Sequence, residues 1–180
     1  MQINWQNENK YNKNDVEKRV GAWLFYRDSM TARLQSCCQN QLTVNVLSHQ
    51  WQLPRRDDCH YLNLPGNEYV VVREVVLSCA DTPYIYARTI IPENTVNNVG
   101  DALLALGDRP LGEVLFADPN LTRSELELAE LSVENTEFQA AVNSTQVNAD
   151  TLWARRSIFY LAGKGSLGLT EVFLPQCWQM

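Results

Sequence analysis

The chain has 180 residues, with 21 acidic and 15 basic side chains and a formal net charge of −6. This length suits one domain that can bury a sizeable core. The acidic balance, without a basic stripe to neutralise phosphates, argues against nucleic-acid binding. No apolar stretch approaches the roughly 18 residues of a membrane span.

The first 50 residues are predicted to form a lead-in, two helices and a strand. Residues 1–14 are polar, do not resemble a signal peptide, and are expected to precede a single domain of residues 15–180. Helical spacing of apolar side chains predicts a helix over residues 15–27. After a break that resembles an N-cap, a second helix is predicted over 31–37. Alternation then predicts a strand over 41–50.

The middle of the chain is dominated by a predicted hairpin. Residues 53–66 contain two prolines and clustered charges and are expected to form a surface loop. Two strands, 68–79 and 83–91, follow it with a short connection between them. Residues 92–98 are expected to form a turn.

The last 80 residues add short helices and a closing hairpin. Residues 132–150 are polar and are expected to be a surface insertion. The predicted helices cover 101–106 and 110–116, and the predicted strands cover 121–130, 153–162 and 166–175. Six strands, mostly arranged as hairpins, predict an α+β fold with a six-stranded antiparallel sheet and flanking helices.

The five cysteines do not indicate a disulfide framework or a metal site. Their number is odd, no CxxC spacing occurs, and Cys37 and Cys38 are adjacent. Reduced thiols in a cytoplasm are therefore expected. With two histidines and no supporting ligand spacing, no metal is expected.

Three predicted strands carry a charge in a row that is otherwise apolar. Arg73, Arg88 and Glu171 each have apolar neighbours two positions away. A charge that faces the core is unfavourable unless something pairs with it. These residues therefore indicate a buried site for a polar ligand.

Loops of two or four residues between the hairpin strands would place Arg73 and Arg88 on one face, and only a loop of odd length would separate them. At about 6 Å and an effective dielectric of about 20, their repulsion would be roughly 2–3 kcal/mol. A bound anion, best of all a dianion, would remove this repulsion. The alternative is a structural pair of Arg73 with Glu74 or Asp81, although Glu74 faces the other side.

The residues of this site also resemble a known family. Seven segments in order resemble chorismate pyruvate-lyase: DSMTAR (28–33), REVVL (73–77), ARTIIP (87–92), PLG (110–112), LTR (121–123), WARRS (153–157) and TEVFLP (170–175). Residues 50–65 and 132–150 depart from the pattern and contain no matching site positions. The resemblance implies conversion of chorismate to 4-hydroxybenzoate and pyruvate, the entry step of ubiquinone synthesis, without metal or organic cofactor. It also implies a buried pocket covered by helical flaps.

The resemblance implies a role for each site residue. Arg73 and the backbone N–H of Leu111 would hold the ring carboxylate, and Glu171 and the backbone at Met30 would contact the ring hydroxyl. Arg88 would bind the enolpyruvyl carboxylate or line an exit path. Glu171 would act either as a hydrogen-bond partner or as the base that removes the C4 proton.

Two other functions remain compatible with the sequence. The same fold serves as the effector-binding domain of some bacterial transcription regulators, so a non-catalytic sensor of small aromatic acids is the main alternative. A structural domain with internal ion pairs is the other. For the enzyme, a cytoplasmic monomer without nucleic-acid or membrane partners is expected.

Overall fold

The computed structural model describes residues 2–11, 16–39, 41–100 and 102–179. The strands are β1 Gln6–Asn7, β2 Leu42–Gln52, β3 Val70–Cys79, β4 Thr82–Pro92, β5 Thr122–Arg123, β6 Glu127–Ser132, β7 Thr151–Leu161 and β8 Gly165–Phe173. The helices are α1 Lys18–Leu24, α2 Met30–Cys37, α3 Arg56–Leu62, α4 Glu93–Val99, α5 Leu111–Leu115 and α6 Thr136–Thr145. Short 3-10 helices cover Glu8–Lys10 and Pro175–Gln179.

All described strands join one antiparallel sheet. Its order is β1-β6-β7-β8-β4-β3-β2, and β5 pairs with β7. The predicted combination of helices with a large antiparallel sheet is confirmed, but the sheet has eight strands rather than six. The two additional strands have two residues each, which is too short for alternation to reveal them. One of them arises because the predicted strand over residues 121–130 is divided into β5 and β6.

Helices cover both faces of the sheet, and each face has its own apolar core. On one face α1 and α2 pack with Ile85 and Phe173, and α5 packs with Phe159. On the opposite face α6 buries Phe138 against Tyr86 of β4. The polar site described below lies on the first face, between the sheet and helices α2 and α5.

Several loop predictions are wrong because helices form in segments that are largely polar. The predicted loop 53–66 contains α3, where the Asp58 carboxylate accepts the backbone N–H of Arg55 at the start of the helix. The predicted turn 92–98 forms α4, and the predicted insertion 132–150 contains α6. Conversely, residues 102–105 form turns instead of the helix predicted over 101–106, whose residue 101 lies outside the described residues.

The N-terminal segment also differs from its prediction. Gln6 and Asn7 of the predicted lead-in pair with Leu128 and Glu127 of β6, so this segment extends the sheet. Residues 12–15, which include the predicted start of the first helix, lie outside the described part of the chain. The described helix begins at Lys18.

The register of the β3–β4 hairpin changes close to its turn. Cys79 pairs with Thr82 across a two-residue turn, but beyond Leu77 the pairing shifts by one residue, and Tyr84 is the additional residue on β4. Such a bulge moves every later side chain of its strand to the other face. Arg73 therefore lies opposite Thr89, and Arg88 lies opposite Glu74. The prediction that the two arginines share a face is wrong.

Two cysteines are paired, contrary to the expectation of reduced thiols. Cys38, just after α2, forms a disulfide with Cys79 at the end of β3, with Cα atoms 5.3 Å apart. Cys37, Cys59 and Cys177 are free. Separately, among the helices of the described ranges none is long and apolar enough to cross a membrane.

Candidate active site

A cavity lies between the sheet and the N-terminal ends of two helices. It holds about 600 Å³ of empty space, part of it open to solvent. Side chains of β3, β4, β7 and β8 form its floor, and residues at the starts of α2 and α5 form its cover. The cavity has an apolar lining with a few charged groups, the usual composition of a site for a small ligand.

Strand register brings Arg73 and Glu171 to the same cavity. Arg73 lies opposite Thr89 of β4, and Glu171 lies opposite Ala87, which precedes Thr89 by two residues. All four residues line the cavity. At about 4.8 Å between strands and about 3.4 Å per residue, the Cα atoms of Arg73 and Glu171 are about 12 Å apart. The two charges therefore approach the cavity from opposite sides.

Arg73 is a buried cation whose hydrogen-bond partners are uncharged. Its side chain is 2% exposed, and its terminal nitrogens donate to the backbone oxygens of Gly107 and Arg109 at 2.9 and 3.0 Å. Burial lowers the pKa of Arg73, and the charge of Asp108 partly opposes that shift. Because the two carbonyls orient the guanidinium without neutralising it, an anion in the cavity would be attracted to it.

The two covering helices begin at the cavity. Met30 is the first residue of α2, and Leu111 is the first residue of α5. The N–H groups in the first turn of a helix have no partner within that helix, so they are available to acceptors. The Ser29 side chain accepts the N–H of Ala32 and thereby caps α2. A Cβ atom on Gly112 would lie 3.1 Å from Oγ of Ser29, so the two helix starts approach each other closely.

Glu171 is held by an arginine to which sequence reasoning assigned no catalytic role. The Nε–H of Arg155 donates to Oε2 of Glu171 at 2.6 Å, and the Arg155 side chain is 1% exposed. One terminal nitrogen of Arg155 also donates to the carbonyls of Trp23, Leu24 and Tyr26. The available signal was the pairing of the closing hairpin, in which Arg155 lies opposite Glu171. Arg123 also lines this part of the cavity and was missed.

Arg88 lies on the opposite face of the sheet, away from this cavity. It is 3% exposed and forms two hydrogen bonds with the Asp58 carboxylate, at 2.7 and 3.0 Å. Burial alone would lower the pKa of Arg88, but the hydrogen bonds and charge of Asp58 outweigh burial and raise it. The predicted contact of Arg88 with substrate is therefore wrong for this arrangement, since Arg88 and its ion pair lie on the other face of the sheet and do not line the cavity.

Sequence comparison assigns the chain to a known family. The family model for chorismate lyase matches residues 1–180. The chain belongs to the chorismate lyase family. Probable chorismate pyruvate-lyases from Nitrosospira multiformis and Aromatoleum aromaticum are 32% and 37% identical to it over 165 and 162 residues. The alignments cover 92% and 89% of this chain, and 91% and 86% of the relatives. The predicted chorismate-cleaving lyase is thereby confirmed.

Solved structures share the fold at low sequence identity. A transcriptional regulator of the GntR family from Bacillus cereus matches with a TM-score of 0.58 and 11% identity, over 76% of this chain and 93% of that one. The C-terminal domain of a histidine utilization repressor from Pseudomonas syringae also has a TM-score of 0.58, at 12% identity, over 75% and 92% of the two chains. These similarities concern the fold alone.

Proposed function

We propose that the cavity binds chorismate and cleaves it to 4-hydroxybenzoate and pyruvate, with Arg73 and Glu171 holding opposite ends of the ring. The observation that carries this proposal is the buried, charged guanidinium of Arg73. It faces Glu171 across an apolar cavity, and its hydrogen-bond partners in the described part of the chain are neutral carbonyls. This arrangement suits a ring with a carboxylate at one end and a hydroxyl at the other.

The ring carboxylate is assigned to Arg73 and the N–H of Leu111. A guanidinium and a backbone N–H at a helix start both donate to anions, and a charge-assisted bond is the stronger of the two. Thr89 and Leu169 continue the row of Arg73 across the sheet and form the floor below the ring. Binding here positions the ring without taking part in bond cleavage.

The ring hydroxyl is assigned to Glu171 and the backbone at Met30. Arg155 occupies Oε2 of Glu171, whereas Oε1 accepts no hydrogen bond from the side chains and backbone of the described residues. The Oε1 atom can therefore accept a hydrogen bond from the ring hydroxyl. It is also the atom that would take the C4 proton if Glu171 acts as a base.

The reaction requires little covalent chemistry from the protein. The C3–O bond breaks with its electron pair on the ether oxygen, the C4–H bond supplies the pair that completes the aromatic ring, and the proton reaches the enolpyruvyl methylene to give pyruvate. Aromatisation drives the cleavage. The protein holds the side chain over the ring and stabilises the charge on the departing oxygen.

The first test removes the proposed carboxylate ligand. We expect Arg73→Ala to lower kcat/KM for chorismate by at least about 100-fold, because a buried charge-assisted contact is lost. The exposed Arg19 on α1 provides a matched control, and Arg19→Ala should retain wild-type turnover. The measurement is the absorbance of 4-hydroxybenzoate formed from chorismate, with circular dichroism to confirm folding. Near-normal turnover in folded Arg73→Ala would refute the assignment.

The same assay separates the enzyme from the sensor suggested by the shared fold. A sensor would bind chorismate or an aromatic acid in calorimetry and release no product. Turnover by the wild-type protein excludes that alternative. Deuterium at C4 that appears in the methyl group of pyruvate would indicate direct transfer, whereas its exchange with solvent would support Glu171 as the base.

A further inference from the structure

Arg123 is fixed in the wall of the cavity beside Glu171. It pairs with Phe159 across β5 and β7, and its guanidinium carbon lies 4.8 Å from the centre of the Phe159 ring. Nε donates to Oγ of Ser157 at 2.8 Å, and Nη1 donates to the backbone oxygen of Arg27 at 3.2 Å. The side chain is 11% exposed. These contacts hold the guanidinium in one orientation toward the cavity.

The remaining nitrogen of Arg123 lacks an acceptor. Nη2 is buried and donates no hydrogen bond to any residue in the described ranges. It lies 3.6 Å from Oε2 of Glu171, and that oxygen already accepts the Nε–H of Arg155 at 2.6 Å. A buried charged donor without an acceptor is unfavourable, so an acceptor within the cavity would be strongly favoured here.

The charged side chains that line the cavity indicate which kind of ligand group would suit Arg123. The largely buried charged groups that line the cavity are three arginines and one glutamate, and the other charged lining residue, Asp28, is exposed. Burial lowers the pKa of Arg123 to about 10, with the charge of Glu171 opposing the shift, so the guanidinium stays charged at neutral pH. One carboxylate at Arg73 would still leave an excess positive charge in the cavity, because Arg123 and Arg155 share the single carboxylate of Glu171. A ligand with a second anionic group therefore fits the cavity best.

We propose that Arg123 binds the carboxylate of the enolpyruvyl side chain of chorismate and stabilises the charge on its ether oxygen as the C3–O bond breaks. This inference rests on the proposed function of the cavity and gives Arg123 the role that the sequence suggested for Arg88. The bond's electron pair passes to oxygen, and the C4 proton passes to the enolpyruvyl methylene, so no other reactant is needed. Arg123 therefore contacts a carboxylate in the substrate that the product 4-hydroxybenzoate lacks.

The test compares substrate turnover with product binding in two Arg123 variants. We expect Arg123→Met to lower kcat/KM for chorismate by about 100-fold, as for loss of one donor to a developing oxyanion. The affinity for 4-hydroxybenzoate, which lacks the side-chain carboxylate, should fall by less than about tenfold. Arg123→Lys keeps the charge but loses the planar fork, so kcat/KM should fall by about tenfold.

Arg156 provides a matched control for the Arg123 variants. Arg156 is similarly buried, 13% exposed, but pairs with Glu127 and stacks on Tyr61 outside the cavity, so Arg156→Met should leave kcat/KM unchanged. If Arg123→Met does not fold, the kcat/KM of Arg123→Lys tests the role of Arg123 instead. Unchanged kcat/KM, or equal losses in turnover and product affinity, would overturn the role of Arg123. Absence of turnover in the wild-type protein would instead overturn the proposed function.

Discussion

Arg88 and Asp58 form a largely buried ion pair, and its contribution to folding can be tested by measuring stability. Removing one partner leaves a buried charge unpaired, so Arg88→Met should lower the free energy of unfolding by about 3–5 kcal/mol. Turnover by the folded protein should stay near that of the wild type, because Arg88 lies outside the cavity. Replacing both residues, as Arg88→Met with Asp58→Leu, should recover only part of the lost stability, because Asp58 also caps the start of α3 and Glu74 also pairs with Arg88. Denaturant unfolding and the chorismate assay measure both effects. A folded single variant without turnover would contradict this interpretation.

At the scale of residues, the sequence identified charges that face inward but not all of their partners. Arg73 and Glu171 stand out because they interrupt apolar rows, and both line the cavity; their catalytic roles remain predictions. Arg88 stands out equally, yet a one-residue bulge at Tyr84 reverses its face. Nothing in local alternation marks that bulge. Arg123 lies in the LTR segment of the family resemblance but was not assigned to the site, because its strand has two residues and gives no alternation that would show its face.

Among the elements, the turn between β7 and β8 depends on its second glycine. Gly165 has φ of +109°, and a Cβ atom there would overlap Oγ1 of Thr95, which hydrogen-bonds both backbone groups of Ser166. We expect Gly165→Ala to lower the free energy of unfolding by about 2–4 kcal/mol through backbone strain and overlap. Gly163 has φ of +68° and open space around it, so Gly163→Ala should cost only about 1 kcal/mol. Thermal unfolding measures both, and equal losses would contradict a steric contribution from Thr95.

Long strands and the helices α2 and α5 could be predicted from the sequence, whereas the helices α3, α4 and α6 could not. The predicted strands 41–50, 83–91 and 153–162 agree with β2, β4 and β7 to within about two residues, because β-branched and apolar runs bounded by turns are distinctive. The helix α3 is held by the hydrogen bond from the Arg55 N–H to Asp58 and by contacts with the sheet, neither of which produces a periodic apolar pattern. Tertiary contacts therefore determine the elements that were missed.

For the whole molecule, the disulfide has a measurable consequence. Of the five cysteines, Cys37, Cys59 and Cys177 should react with a thiol reagent in denaturant before reduction, and all five should react after it. A loop of 41 residues closed by Cys38 and Cys79 contributes about 4 kcal/mol in the chain-entropy model. The double variant Cys38→Ser/Cys79→Ser should lose about that stability, and Cys37→Ser should lose little. Five reactive thiols before reduction would refute the pairing.

The disulfide and the expected cytoplasmic location favour different environments. Disulfides persist mainly in oxidising compartments, whereas cytosolic thiols are kept reduced. Trapping the thiols with an alkylating reagent during cell lysis would show which state occurs in the cell. The cytoplasmic location and the monomeric state remain predictions from the sequence.

Arg155 links two parts of the molecule that are far apart in sequence. The same guanidinium holds Glu171 on the last strand and three carbonyls at and just after the end of α1. A change in the charge or position of the carboxylate would therefore be transmitted to Tyr26 and the segment that leads into α2. Ligand binding in the cavity and ordering of the segment between α1 and α2 would then be thermodynamically coupled, so that each favours the other.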